Sequence, residues 1–284
     1  MYERVVVGTD LSATATVATE RAALLAQRLG AELLIVHAGK ESDALSQLAS
    51  EHGGKAIAVQ GAPAEVLVAQ TEAAGGGLLV VGSVGMSGAK RFLLGSVPNK
   101  VSHHAATDVL IVKTDPPRES SDYAKVLVGT DGSPTAMRAV DMASNLAKSL
   151  GAQTTIVCVY QPPTEHELEA YKADPDDPVA QWNVGKEVRD VPSEFKWRIA
   201  GTAQAEDILE RAAERADQAG IDAEVRAIQG NPAEELIALA GAENFDMIAV
   251  GSVGMSGARR FMLGNVPHRI SHHAPTDVLI LRTT

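Results

Sequence analysis

Short apolar runs alternate with longer amphipathic stretches along the whole chain. Arg4–Val7, Leu33–Val36, Ala56–Val59, Leu78–Val81 and Val109–Val112 form one series of runs. Val126–Val128, Thr155–Val159, Glu224–Ile228, Met247–Val250 and Val278–Leu281 form a second. Most are continuously apolar rather than alternating, as expected of parallel strands covered on both faces. The stretches between them carry helical spacing. Ala15, Ala18, Ala22, Leu25 and Leu29 fall three and four apart, and Ala136, Ala139, Ala143, Leu146 and Leu150 repeat that stripe. Ser12 and Ser133 stand where helix N-caps belong, and Gly30 and Gly151 where left-handed C-caps belong. Each series therefore predicts five strands with four intervening helices, a small doubly wound α/β domain with a parallel sheet.

The two series are copies of one unit. Val5-Val6-Val7-Gly8-Thr9-Asp10 returns as Val126-Leu127-Val128-Gly129-Thr130-Asp131, and Gly82–Ile111 returns as Gly251–Ile280. The predicted boundaries are residues 1–114 for the first domain, 115–122 for an exposed linker rich in proline and acid, and 123–284 for the second domain. The second copy is longer because of an insertion at about 161–203, with five prolines, the acidic Asp174-Pro175-Asp176-Asp177 and both tryptophans, Trp182 and Trp197. That segment is too long for an ordinary loop and reads either as a lid or contact arm or as a surface excursion. The copies have diverged unevenly. Residues 82–111 match their counterparts at 23 of 30 positions, whereas residues 12–30 match at 9 of 19. The better-kept segment is glycine-rich and polar, which suits a site lined by backbone better than a packing surface.

That segment holds the candidate chemistry. Gly82, Ser83, Val84, Gly85, Met86 and Gly88 lead to Gly95-Ser96-Val97, and Gly251, Ser252, Val253, Gly254, Met255 and Gly257 lead to Gly264-Asn265-Val266, in a Gly-x2-Gly-x9-Gly-Ser/Asn layout. Glycines allow backbone N–H groups to wrap an anion at turns with unusual dihedrals. Gly95-Ser96-Val97 opens the last helix of its copy, whose free N–H groups and dipole favour phosphate. Donors from a loop and from a helix start suit a di- or triphosphate. Neither G-x-x-x-x-G-K-[ST] nor G-x-G-x-x-G occurs, so a P-loop nucleotidase and a dinucleotide-binding Rossmann domain lack their fingerprints. In a doubly wound sheet ligands sit beyond the carboxyl ends of the strands where strand order reverses, which puts Gly8-Thr9-Asp10 and Gly129-Thr130-Asp131 at the same crevices. An acid there can bond a ribose hydroxyl or an adenine amino group.

Composition narrows the setting. The 284 residues are 45% hydrophobic and 21% charged, and the net charge of −11 disfavours a general nucleic-acid binder. The charge is lopsided: residues 1–118 hold 10 basic and 11 acidic side chains, and residues 119–284 hold 15 and 25. No apolar run approaches the roughly 18 residues of a membrane helix, no signal-peptide layout precedes Val5, and the single cysteine, Cys158, forms no internal disulfide. A cytoplasmic location without membrane partners is expected.

Strand-one Val-Gly-Thr-Asp, the glycine spacing, and the ending His104-Ala105 followed by Asp108-Val109-Leu110-Ile111-Val112 resemble the ATP-binding branch of the universal stress protein family, in its tandem two-domain form. The resemblance covers the chain twice, apart from the insertion. It implies two tandem doubly wound parallel five-stranded sheets of order 3-2-1-4-5, of the adenine nucleotide alpha hydrolase-like fold, with one ATP site per domain. The phosphates would sit on the glycine motif, with adenine near strand one and against backbone just after strand two. Those positions are Gly8, Asp10, Ala38, Gly82, Gly85, Gly95, Ser96 and Val97, and in the second copy Gly129, Asp131, Tyr160, Gly251, Gly254, Gly264, Asn265 and Val266. The protein itself supplies no metal ligand; Mg2+ would ride on the phosphates near Ser96 and Asn265. The family also pairs domains through strand five, so the resemblance implies pairing of the two copies, with a homodimer and a further protein partner beyond that. Two departures, Asn265 where the family favours Ser or Thr and Leu11 where Asp131-Gly132-Ser133 is commoner, predict sites of unequal affinity.

The resemblance implies a nucleotide-dependent regulatory or stress-response protein with no catalytic residues. The glycine loops hold no His, Glu or Asp to act on a γ-phosphate, and Asp10 and Asp131 belong at the nucleoside end, so hydrolysis is at most slow. The alternatives are a slow ATP hydrolase and a cyclic-AMP-binding protein of the same fold. Ser102-His103-His104-Ala105 and Ser271-His272-His273-Ala274 read as structural helix ends, since adjacent helical residues point about 100° apart and grip one ion poorly. Lys90-Arg91 and Arg259-Arg260 read either as phosphate contacts or as a solvated face. Cys158 reads as a small inert core residue.

Overall fold

The computed structural model describes residues 2–84, 94–114, 122–160, 202–253 and 263–283. The first half runs β1 (Arg4–Thr9), α1 (Ala13–Leu29), β2 (Glu32–His37), α2 (Asp43–Glu51), β3 (Lys55–Ala58), α3 (Pro63–Ala73), β4 (Leu78–Gly82), α4 (Ser96–His104) and β5 (Asp108–Val112). The second half runs β6 (Lys125–Thr130), α5 (Pro134–Leu150), β7 (Gln153–Tyr160), α6 (Thr202–Gln218), β8 (Glu224–Gln229), α7 (Pro232–Ala242), β9 (Met247–Gly251), α8 (Asn265–His273) and β10 (Asp277–Leu281).

The helix ends follow from their caps. Ser12 Oγ accepts from Ala15 N at 3.2 Å and Ser133 Oγ from Ala136 N at 3.1 Å, each satisfying an orphan first-turn donor. Gly30 (φ 64°) and Gly151 (φ 67°) close α1 and α5 in the left-handed region. Within the strands, successive residues bury to opposite faces. Val5, Val7, Leu78 and Val80 pack with α1, while Val6, Leu79 and Val81 pack with Leu67 of α3 and Val101 of α4. Central strands are thus apolar at every position because both faces are covered. The edge strands differ from that expectation. β3 and β8 lie at the ends of the sheet and are partly exposed, which is why Lys55, Glu224 and Arg226 are tolerated there.

The ten strands form one sheet of order β3-β2-β1-β4-β5-β10-β9-β6-β7-β8. Each half keeps order 3-2-1-4-5 with parallel neighbours, and the halves join where β5 and β10 pair antiparallel, Leu110 opposite Leu279. Polar anchors pin this seam with near-symmetry. Asp108 accepts from Tyr2 Oη at 2.6 Å and from Arg282 N at 2.6 Å, and Asp277 accepts from Tyr123 Oη at 2.7 Å and from Lys113 N at 2.8 Å. Of the expected linker only Asp122 is described, and of the expected insertion only residues 202 and 203. Those two already belong to α6, so the second half's helix starts inside the boundary drawn from the sequence.

Candidate functional site

Strand order reverses at β1, which has β2 on one side and β4 on the other, and again at β6 between β7 and β9. A crevice opens beyond the carboxyl ends of the strands at each reversal. The first, of about 310 Å³, is lined by Gly8, Thr9, Asp10, Ala38, Gly82, Val84, Gly95, Ser96 and Val97 among the expected residues. The second, of about 530 Å³, is lined by Gly129, Thr130, Asp131, Tyr160, Gly251, Val253, Gly264, Asn265 and Val266. Gly85, Met86, Gly88, Gly254, Met255 and Gly257 lie outside the described residues, as do Lys90, Arg91, Arg259 and Arg260.

Each wall has a local cause. Gly8 and Gly129 sit inside strands because a Cβ there would come within 2.6 Å of Leu67 Cδ1 and 2.7 Å of Leu236 Cδ1, the leucines that line the crevices from α3 and α7. Asp10 Oδ1 accepts from Ser12 N at 3.0 Å, and Asp131 Oδ1 from Ser133 N at 3.0 Å, so each acid braces the turn into the following helix. Leu11 adopts φ 64° and Gly132 φ 76°, with matching contacts from Leu11 N to Thr9 Oγ1 at 3.0 Å and from Gly132 N to Thr130 Oγ1 at 3.2 Å. The leucine therefore keeps the turn that glycine makes in the other half, at some backbone strain.

At the opposite wall, Gly95 N and Gly264 N donate to Ser83 O and Ser252 O, both at 2.8 Å, tying the starts of α4 and α8 to the ends of β4 and β9. Glycine stands at both N-caps, and among the described residues no side chain caps either helix. Pro98 and Pro267 remove one first-turn donor each, leaving the N–H groups of Ser96 and Val97, and of Asn265 and Val266, at residues that line the crevices. An uncapped helix start facing a cavity is an anion-binding arrangement.

Two placements bear on the expected site. Ser83 and Ser252 are buried and are not among the residues that line the crevices. Ser83 N donates to Val112 O at 2.7 Å and Ser83 Oγ accepts from Thr114 N at 3.2 Å, so its N–H and hydroxyl are engaged by β5 and the residues after it while its carbonyl holds Gly95. Ser252 N likewise donates to Leu281 O at 2.8 Å. The second concerns register: Thr9 pairs with His37 and Thr130 with Cys158, which makes Val159 the counterpart of Ala38, with Tyr160 one residue further on. Both Val159 and Tyr160 line the second crevice.

The sequence reading overlooked several lining residues. His37 lines the first crevice, its Nδ1 donating to Thr9 O at 2.9 Å, and Cys158 takes that place in the second. The Cys158 thiol is pushed up to about 11, first by burial and then by the Asp131 charge, which keeps it protonated and inert. Pro63 and Leu67, with Pro232 and Leu236, complete the floors. Their signal was a second repeat, Gly61-Ala62-Pro63-Ala64-Glu65-Val66-Leu67 against Gly230-Asn231-Pro232-Ala233-Glu234-Glu235-Leu236. The histidine pairs lie at the C-terminal ends of α4 and α8, at the seam rather than the crevices. No group of three His, Cys, Asp or Glu side chains suited to a metal ion occurs among the described residues.

A family profile, that of the universal stress protein family, matches residues 1–56, 38–113 and 122–282. The chain belongs to the universal stress protein family. Universal stress protein Rv1636 of Mycobacterium tuberculosis is 37% identical over 165 residues, which is 58% of this chain and 99% of that protein. The crystal structure of a universal stress protein from Archaeoglobus fulgidus covers all of both chains at 21% identity and a TM-score of 0.64, a likeness of fold. A universal stress protein solved in complex with cAMP is 34% identical, covering 57% of this chain and 99% of its own, with a TM-score of 0.42. Universal stress protein architecture thus extends over both halves, and no helix among the described residues is long and apolar enough to cross a membrane.

Proposed function

We propose that this universal stress protein binds an adenine nucleotide, ATP with Mg2+, in each crevice and acts as a nucleotide-dependent regulatory protein. The observation that carries the reading is the uncapped start of α4 and of α8, tied to the glycine-bearing end of β4 or β9 at a strand-order reversal. Two converging donor sets favour a chain of phosphates over one. Cyclic AMP is the second reading, and its single phosphate needs less of that arrangement. Asp10 and Asp131 stand at the ends of β1 and β6, where they can meet the nucleoside, and the leucine and proline floor suits a flat base. His37 lines the first crevice from β2, on the far side of β1 from β4, so it too belongs at the nucleoside end. With no base placed by the phosphate-side elements, hydrolysis is slow.

Occupancy acts by favouring one conformation or assembly over another. The occupied crevices would then present an altered surface to a protein partner or to a second copy of the chain. Freshly purified protein, denatured and chromatographed, should release ATP. Release of cyclic AMP would favour the second reading. A preparation that releases no nucleotide and binds neither ATP nor cyclic AMP on titration would refute both.

A further inference from the structure

Three imidazoles from the two halves gather where the seam reaches the helices. The ring of His103, on α4, lies 5.5 Å from that of His268 on α8, and His268 lies 4.5 Å from His272 one turn along. Among the described residues, His268 Nδ1, His272 Nε2 and Asn99 Oδ1 are buried and find no hydrogen-bond partner. Cations complete the surroundings. Lys113, which follows β5, crosses the seam to donate from Nζ to Ser271 O at 2.9 Å. Arg282, which follows β10, crosses the other way and donates to Ser102 O. One last-turn carbonyl of each helix, Ser102 O and Ser271 O, is therefore already engaged by a cation, which adds positive charge where a protonated histidine would otherwise be welcome.

We propose that His103 and His272, packed on either side of the His268 ring, form an acid-sensitive latch across the seam, whose protonation drives α4 and α8 apart. His103 faces His268, His104 and Arg282; His272 faces His268, His273, Lys113 and His103. The acids of the region are engaged elsewhere: Asp108 and Asp277 hold the tyrosines and strand ends, and Glu234 pairs with Arg269 at 2.7 Å. A proton added to the cluster thus meets positive charge, and the acids named among the described residues are committed to other partners. A metal ion fails on the same ground, as Lys113 and Arg282 would repel it.

Burial, then the neighbouring charges, holds the pKa of His103 and of His272 below the ordinary histidine value. A base whose folded pKa is depressed stabilises the fold fully above its unfolded value, about 6.5. That contribution is lost as the pH falls through 6.5 toward the folded pKa. The Asp108 carboxyl is pushed up by burial, so its titration carries the opposite sign. Lys113, held at about 8, stays charged in both states below neutrality.

The test is hydrogen exchange of the full chain without nucleotide, at pH 7.5 and 5.5, corrected for the intrinsic pH dependence of exchange. Peptides spanning β5, β10 and the ends of α4 and α8 should lose about tenfold in protection at pH 5.5, while β1, β2, β6 and β7 keep theirs. A chain carrying His103→Asn, His268→Asn and His272→Asn should show no such pH step. Asparagine already stands at position 99, the counterpart of His268. An unchanged step in that variant, or a loss spread evenly over the sheet, overturns the latch. If the variant does not fold, ring titration of the natural chain by NMR decides: two imidazoles titrating below 6.5 support the latch, and all titrating at or above 6.5 refute it. No nucleotide enters these experiments, so the latch and the nucleotide reading fail separately.

Discussion

The two crevices are built alike in backbone and unlike in side chains. Both have a strand glycine under a leucine, an aspartate bracing a left-handed turn, and an uncapped helix start tied to a strand end. They differ where side chains meet the cavity: His37 against Cys158, Ala38 against Val159, and Ser96 against Asn265. The second is also wider and takes Gln204, Ala205 and Ile208 of α6 into its wall, whereas no residue of α2 lines the first. Of the shared features, the uncapped helix starts are those a phosphate would read through N–H groups. The divergent ones lie at the ends of β2 and β7 or, at 96 and 265, at the helix start.

The largest difference concerns reactivity at position 158. A thiol raised from 9.0 to about 11 is roughly a hundredfold less ionised at pH 8 than an unperturbed one, and alkylation should slow by about that factor. Its rate should keep rising with pH through 10, because the thiolate appears only as the pH nears the folded pKa. Mass spectrometry of the labelled chain reads this directly, and a plateau near pH 9 would place Cys158 in a wetter wall.

Next comes the turn. Gly132→Leu, which copies the first half's residue into the second, should destabilise by about 3 kcal/mol in denaturant unfolding, because its Cβ would lie 2.4 Å from Ile208 Cγ1. The first half shows that leucine tolerates the dihedral, so the expected loss is chiefly steric. Paired with Ile208→Ala, much of it should return. Gly8→Ala and Gly129→Ala should each cost about 2 kcal/mol, and by similar amounts, since their collisions with Leu67 and Leu236 are alike. Unequal losses would mean that one floor yields more readily than the other. The smallest effect is Leu11→Gly, a gain of at most about 1 kcal/mol from relieved left-handed strain; a loss would show that the leucine's packing outweighs it.

Much of this was legible in the sequence for identifiable reasons. The repeat gave the strands in register, and the alanine–leucine stripes, Ser12, Ser133, Gly30 and Gly151 marked α1 and α5 to the residue because caps are local chemistry. What escaped depends on partners distant along the chain. Ser83 and Ser252 looked like loop donors, yet the last strand of each half claims their backbone. His37 stood just past the Leu33–Val36 run and Cys158 inside the Thr155–Val159 run; only the pairing of β2 with β1 and of β7 with β6 sets them beside Thr9 and Thr130 at the crevices. His103 and His268 sit 165 positions apart, and only the antiparallel joining of β5 and β10 brings their rings together.

Calorimetric titration of the nucleotide-free full chain with ATP and Mg2+ tests the paired-crevice account most directly. Two binding events should appear, with dissociation constants differing by up to about tenfold, the worth of roughly one hydrogen bond. Gly85→Ala and Gly254→Ala should each weaken a different one. Two sites of equal affinity, unchanged in their equality by either substitution, would contradict the unequal crevices, and an absence of heat and of binding would contradict the nucleotide site itself.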